Sequence, residues 1–266
     1  MADAIITAKG LGYQLGSRFL LKNINWEIAE RSRWIIIGMN GSGKTTLLSI
    51  LAGYRAFNHG ELLYRGQPYD SYNIFDLRRK MGWISGSFFD QVYKNESVMD
   101  ILLSGRTGTY GVEEEDALFL DIIKIKKLLR CVGLEDRLDA PFGWLSKGER
   151  QSGLIVRAIL ANPEILVFDE PMTGLDVLAR ESIRRFIGKI GEDKKHTMIY
   201  VTHHLDEISP SFFDHCMLLK HGQIFRKGKT EEIFTLSVIS DFLGVPTEIE
   251  QDKNGCYVLG FNSEVR

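Results

Sequence analysis

The stretch Gly38-Met39-Asn40-Gly41-Ser42-Gly43-Lys44-Thr45-Thr46 carries the most specific chemistry in this chain. It fits G-x-x-x-x-G-K-[ST], a loop whose backbone amides wrap phosphate groups. The glycines at 38, 41 and 43 permit close approach and the unusual dihedrals that such wrapping demands. Lys44 is expected on the β- and γ-phosphates and the Thr45 hydroxyl on a magnesium ion. A helix beginning near Lys44 aims its first amides at the same phosphates. A second constellation is Ile165-Leu166-Val167-Phe168-Asp169-Glu170, an apolar run ending in two carboxylates. That is the pattern of a buried strand delivering acids to the C-terminal edge of a sheet. Alone it reads as a solvated strand end. Beside a phosphate loop, Asp169 suits the magnesium and Glu170 suits a base for the attacking water.

The elements that must hold these groups follow from periodicity. Ile5 to Leu15 and Phe19 to Ile28 read as paired strands turning at Gly16-Ser17. Trp34 to Ile37 is a short strand running into the glycine loop, and Thr45 to Leu51 has helical spacing with Gly53 as its stop. Glu61 to Arg65 and Met81 to Ile84 read as further strands. From about Asn95 to Arg130 the pattern turns helical, with Ser97 as N-cap for Val98 to Leu103. Glu113 to Arg130 follows, with Leu118, Ile122, Ile125 and Leu129 on one face. A helix over Lys147 to Ala161, the strand Ile165 to Phe168, a helix over Leu175 to Ile190 and the strand Thr197 to Val201 predict a parallel sheet covered by helices. Met217 to Leu219 and Gln223 to Phe225 read as a hairpin. A short helix and a strand from Cys256 to Phe261 occupy the segment after Ser237.

Composition narrows the classes. Thirty-three Lys and Arg oppose 35 Asp and Glu for a formal charge of −2, which offers no basic field, so no nucleic-acid partner is expected. Hydrophobic residues make up 44% of the 266, enough for a sizeable core. No apolar run approaches the roughly 18 residues of a membrane span, and Met1 to Gly10 lacks a secretory pattern, so a cytoplasmic protein is expected. Cys131, Cys216 and Cys256 match no metal or disulfide spacing and are expected to be buried, reduced thiols.

The order of these motifs resembles the ATP-binding cassette (ABC) ATPase family over roughly residues 5 to 230. Leu145-Ser146-Lys147-Gly148-Glu149 is similar to the family signature L-S-G-G-Q, with Lys147 for the first glycine and Glu149 for the glutamine. Ser146 and Glu149 also have capping-box spacing, and a capped helix start is itself an anion site. Thr173-Gly174-Leu175-Asp176 stands at the D-loop position. By this resemblance His203, at the end of Ile199 to Thr202, is the switch at the γ-phosphate, and Tyr13 is the aromatic that stacks on adenine. His204 holds the place usually taken by Asp. One departure stands out: the aligned position of the Q-loop glutamine is Gly86, which leaves Gln91 or a water on Ser87 to serve instead.

The resemblance implies an α/β fold with a P-loop core and parallel sheet, an antiparallel β-subdomain (about residues 1–32 and 56–68) and an inserted helical subdomain (about 90–150). Residues 1–236 would form the nucleotide-binding domain and 237–266 an extension of unassigned role. It implies ATP and Mg2+ as cofactors and an ATP-dependent head-to-tail homodimer in which the phosphate loop of one copy faces Ser146 and Gly148 of the other. The implied activity is ATP hydrolysis as the motor of a transporter, on the inner face of the cell membrane. A separate transmembrane subunit would dock on the helical insert around Phe88 to Leu103. A soluble ABC ATPase acting on a macromolecule, or a low-turnover regulatory protein, are the alternatives.

Overall fold

The computed structural model describes residues 4–93, 95–109, 119–204, 207, 209–251 and 255–261. The chain begins with strands β1 (Ala4–Leu15) and β2 (Arg18–Ala29), then β3 (Arg33–Ile37), helix α1 (Lys44–Leu51), β4 (His59–Tyr64) and β5 (Gln67–Pro68). Next come α2 (Ile74–Lys80), β6 (Met81–Ser85), α3 (Gly86–Val92), α4 (Val98–Thr107), α5 (Phe119–Val132) and α6 (Lys147–Leu160). They are followed by β7 (Ile165–Asp169), α7 (Val177–Glu192), β8 (Thr197–Thr202), β9 (His215–Lys220) and β10 (Gln223–Lys229). Helices α8 (Thr230–Ile233) and α9 (Leu236–Leu243) and the hairpin β11 (Thr247–Gln251) and β12 (Tyr257–Phe261) close the described chain. The chain divides into two compact units, one made of Met1–Ile50, Arg55–Tyr69 and Thr197–Arg266, the other of Leu51–Tyr54 and Asp70–His196.

In the first unit, β1 and β2 pair antiparallel and β1 also pairs antiparallel with β4, giving the order β2-β1-β4-β5. This is the expected antiparallel subdomain. The register of β1 slips around Leu11 and again beside Tyr13, where Gly10 has φ +59° and interrupts the regular pleat. Strand β3 pairs in parallel with both β8 and β9, and β9 turns back into β10. Its Trp34-Ile35-Ile36-Ile37 run is entirely buried, as a parallel strand covered on both faces must be. Trp34 stacks on His215 at 4.7 Å and meets Trp26 edge-on at 5.2 Å.

In the second unit, β6 and β7 are parallel partners from Met81↔Ile165 to Ser85↔Asp169, and every residue of both is buried. The helical insert packs by close approach. A Cβ on Gly105 of α4 would lie 2.9 Å from Cγ of Arg157 on α6 and would collide with its carbonyl. Arg157 is 4% exposed, donates to Ser104 Oγ and the Thr109 carbonyl, and lies 4.8 Å over the Phe89 ring. Phe88, Phe89, Tyr93 and Trp83 continue this aromatic cluster. Ser97 caps α4 by accepting from the Asp100 amide, and Gly108 ends it in the left-handed region at φ +73°.

Several expectations need adjustment. The helix expected from Glu113 is described as α5 from Phe119, and Glu113 to Leu118 lie outside the described residues. Helices α2 and α3, of seven residues each, were not foreseen. Asn73 caps α2, and Arg78, Arg79 and Lys80 fill its last turn, where cations oppose the helix dipole. Of the three cysteines, only Cys216 is buried; Cys131 is exposed and Cys256 is partly so. Cys131 sits in the last turn of α5, whose buried stripe runs through Ile125 and Leu129 instead. Among the described residues no helix is long and apolar enough to cross a membrane.

Candidate functional site

In the first unit, β3 ends at Ile37 and the chain turns through Gly38–Gly43 into α1. A Cβ on Gly38 would meet the Leu219 carbonyl at 2.6 Å and collide with Ser42 Oγ, while one on Gly43 would stand 2.8 Å from the Leu20 carbonyl. Gly41 and Gly43 have φ of +78° and +103°. The loop is therefore fixed as glycine at its tightest points. Lys44 is 5% exposed, and its Nζ donates to the carbonyls of Gly38 at 2.7 Å and Met39 at 3.3 Å. Its ammonium is folded over the loop. Ser42 Oγ is buried with no hydrogen-bond partner among the described residues, and a phosphate oxygen would satisfy it. Thr45 is exposed one residue on.

A residue that sequence reasoning passed over holds this loop. The Gly222 amide donates to the Ser42 carbonyl at 2.9 Å, and the Gly222 carbonyl accepts from Lys22 at 2.8 Å. Gly222 has φ +74°, and a Cβ there would lie 2.5 Å from the Leu20 carbonyl. The His221-Gly222 turn was legible only as a hairpin signal.

Strand β8 lies beside β3 with Thr202 opposite Ile37, so His203 and Gly38 are the next residues on neighbouring parallel strands. The His203 and His204 rings stand 4.1 Å apart. Tyr13 sits among the slips of β1, with the Arg55 guanidinium 5.2 Å over its ring and donating to its hydroxyl at 3.2 Å. Met39 and Asn40 are exposed at the loop tip.

In the second unit, β7 ends at Asp169, which is 5% exposed and accepts from Ser85 Oγ at 3.1 Å. Ser85 Oγ is in turn 3.3 Å from Ser87 Oγ. Ser85 was also missed, because its partner is remote in sequence. The side chain of Gln91 lies outside the described residues. Glu170 has φ +51°, a left-handed conformation that costs a non-glycine residue energy, and its carboxylate accepts from Thr173 Oγ1 at 3.3 Å. The strained backbone lies directly after the strand that ends at Asp169.

The same unit gathers the signature and D-loop segments. Ser146 caps α6 in a full capping box: its Oγ accepts from the Glu149 amide at 3.3 Å and its own amide donates to Glu149 Oε2 at 2.7 Å. The hydrogen bond from the Ser146 amide, and then the Ser146 hydroxyl, lower the pKa of the Glu149 carboxyl. Asp176 caps α7, accepting from Ala179 at 2.9 Å. A Cβ on Gly148 would lie 2.9 Å from that of Ala179, so the two helix starts touch. Trp144, Val177 and Leu178, each more than four-fifths exposed, flank them.

Among the described residues no three His, Cys, Asp or Glu side chains gather as a self-sufficient metal site. A hydroxyl and a carboxylate are nonetheless the hard oxygen donors that suit magnesium, whose other ligands come from phosphates and water.

A family profile described as ABC transporter matches residues 21–173. The chain belongs to the ABC transporter family. It is similar to the ABC transporter ATP-binding protein YlmA of Bacillus subtilis (strain 168), 34% identical over 247 residues that cover 92% of this chain and 93% of that protein. Among solved structures it resembles a nucleotide-free ATP-binding cassette from an ABC transporter, with a TM-score of 0.74, 23% identity and coverage of 91% of this chain and 96% of that one. A dimeric bacterial ABC transporter cassette matches at TM-score 0.71 and 25% identity, covering 84% and 98%. The fold is thus the α/β ABC cassette, and the chain is an ATPase of this family, binding and hydrolysing ATP. The described residues outside the matched profile include His203 and Gly222.

Proposed function

We propose that this chain is the ATP-hydrolysing motor subunit of a membrane transporter, working as a head-to-tail pair of identical copies. The observation that carries the reading is the phosphate loop, with Lys44 folded over its carbonyls and Ser42 presenting a buried hydroxyl that has no partner among the described residues. Residues Gly38 to Thr46 wrap the triphosphate with amides, Lys44 neutralises its β- and γ-oxygens, and Tyr13 carries the adenine on its ring. Thr45 and Asp169 hold Mg2+, which when bound withdraws charge from the phosphate oxygens. Glu170 orients the attacking water and takes its proton while the oxygen bonds to the γ-phosphorus and the bond to the β-phosphate oxygen breaks, releasing ADP. His203 contacts the γ-phosphate.

Ser146 and Gly148 of a second copy close over the nucleotide, with Asp176 beside them. The capped start of α6 supports this role, because a helix N-terminus presents amides and positive dipole to an anion. The exposed Trp144, Val177 and Leu178 around it supply the apolar rim that a second copy would cover. The chain sits on the inner face of the cell membrane, bound to a separate transmembrane subunit through its helical insert. Residues 1–236 form the nucleotide-binding domain, with its helical subdomain at about 90–150, and 237–266 form an extension. Purifying the protein from intact membranes with its partner attached tests the assignment. Recovery of ATPase activity with a multi-span membrane protein bears it out, and recovery only with a soluble macromolecular complex overturns it.

A further inference from the structure

The second unit contains a buried carboxamide that the mechanism so far does not use. Gln151, on the first turns of α6, is 6% exposed, and its Nε2 is buried with no hydrogen-bond partner among the described residues. Its Oε1 lies 3.1 Å from where a Cβ on Gly86 would stand, and, apart from the chain neighbours of Gly86 and the backbone of α3, no other described heavy atom comes within 4 Å of that point. Gly86 does not adopt the left-handed conformation, so its backbone does not require glycine. What its missing side chain provides is room for Gln151. The residue before it, Ser85, donates to Asp169, and the residue after it, Ser87, reaches Ser85. Ser85 from β6 and Ser87 from α3 thus meet at the end of β7, on either side of the glycine that Gln151 faces.

We propose that Gln151 is a positioning residue of the ATP site, its Nε2 donating to an oxygen of the metal–nucleotide complex held by Asp169. The inference rests on the reading of Asp169 as a metal ligand. A buried amide with an open donor is costly, and native proteins keep one where a ligand or water completes it. The partners behind metal ligands orient them, and losing one typically weakens metal affinity about 10–100-fold. Ser85, itself beside Ser87, donates to the carboxylate from one side, and on this proposal Gln151 ties the bound complex to α6. A nucleotide-dependent change at Asp169 is thereby transmitted to the helix that begins at Ser146.

The test measures Mn2+ affinity by EPR in the presence of saturating AMP-PNP, alongside kcat and KM for ATP. Gln151→Ala should weaken Mn2+ binding about tenfold or more and lower kcat, with AMP-PNP affinity in the absence of metal unchanged. Gln151→Met keeps the volume without the amide and should behave alike, which separates the effect from a cavity. Adding Gly86→Gln to Gln151→Ala puts an amide into the vacated space from the other side and should restore Mn2+ affinity to within about threefold of the parent. Parent-like Mn2+ affinity in folded Gln151→Met, or a double variant as weak as the single one, overturns the proposal while leaving the nucleotide site intact. No Mn2+ and AMP-PNP binding by the parent protein overturns both.

Discussion

The Lys147 side chain lies over Gly174: a Cβ at position 174 would collide with the Lys147 ammonium nitrogen. Lys147 stands where the family signature has its first glycine, and Gly174 stands in the D-loop. The enlargement at one position is matched by a missing side chain at the other, and the flexible lysine stem threads between two helix starts.

Gly174→Ala should cost about 1–2 kcal/mol, because φ +71° strains any residue with a Cβ. The collision itself should add little, since the tip of a lysine moves cheaply. In a Lys147→Ala background the same substitution should therefore cost the same within about 0.5 kcal/mol. Chemical denaturation of the four proteins checks this, and a larger coupling would mean that the ammonium is held in place.

Glu170→Gln should bind ATP normally and lose most turnover, about 10²–10⁴-fold, since the amide keeps the shape and loses the base. Lys44→Ala should weaken nucleotide binding itself. Equilibrium binding and steady-state hydrolysis on the two variants separate these effects.

ATP should drive Glu170→Gln protein from monomer to dimer in sedimentation experiments. Ser146→Arg should abolish the shift by filling the anion site, and Trp144→Ala should weaken it by removing exposed apolar surface. Equal mass with and without ATP in the Glu170→Gln protein counts against nucleotide-driven pairing.

The Glu149 carboxyl gives a pH signature. Its ionised form is favoured in the folded protein by the Ser146 amide, so its stabilising effect is complete above the unfolded value of about 4.3 and disappears as pH falls through the lower folded value. The Tm difference between the parent and Glu149→Gln should be full above the unfolded value and should close as pH falls through the lower folded one. A difference that stays constant across that range would show that the capping box does not depend on the charge.

The sequence made the phosphate loop, the acidic strand end and the capped helix at Ser146 readable, because each is local: a strand, a few glycines or a capping spacing suffices. Helices α2 and α3 escaped because seven residues give too little periodicity to register, and α3 starts at a glycine with no side-chain cap. Ser85, Gln151 and Gly222 escaped for another reason. Each owes its position to a partner far along the chain, Asp169, Gly86 and Ser42 respectively, and no local pattern encodes those pairings. Tyr13 comes from the resemblance, but the Arg55 guanidinium over its ring, 42 residues on, has no local signal.

The hold of Gly222 on the phosphate loop also sets a time order during synthesis. The motif containing Lys44 leaves the ribosome first, yet the turn that fixes the Ser42 carbonyl, and the strands β8 and β9 on either side of β3, are made more than 150 residues later. At 5–20 residues per second the loop waits on the order of ten seconds or more for its support. A nascent chain stalled before residue 222 would carry every residue of the motif and still lack the finished cradle, so a competent ATP site has to wait until residue 222 has been made.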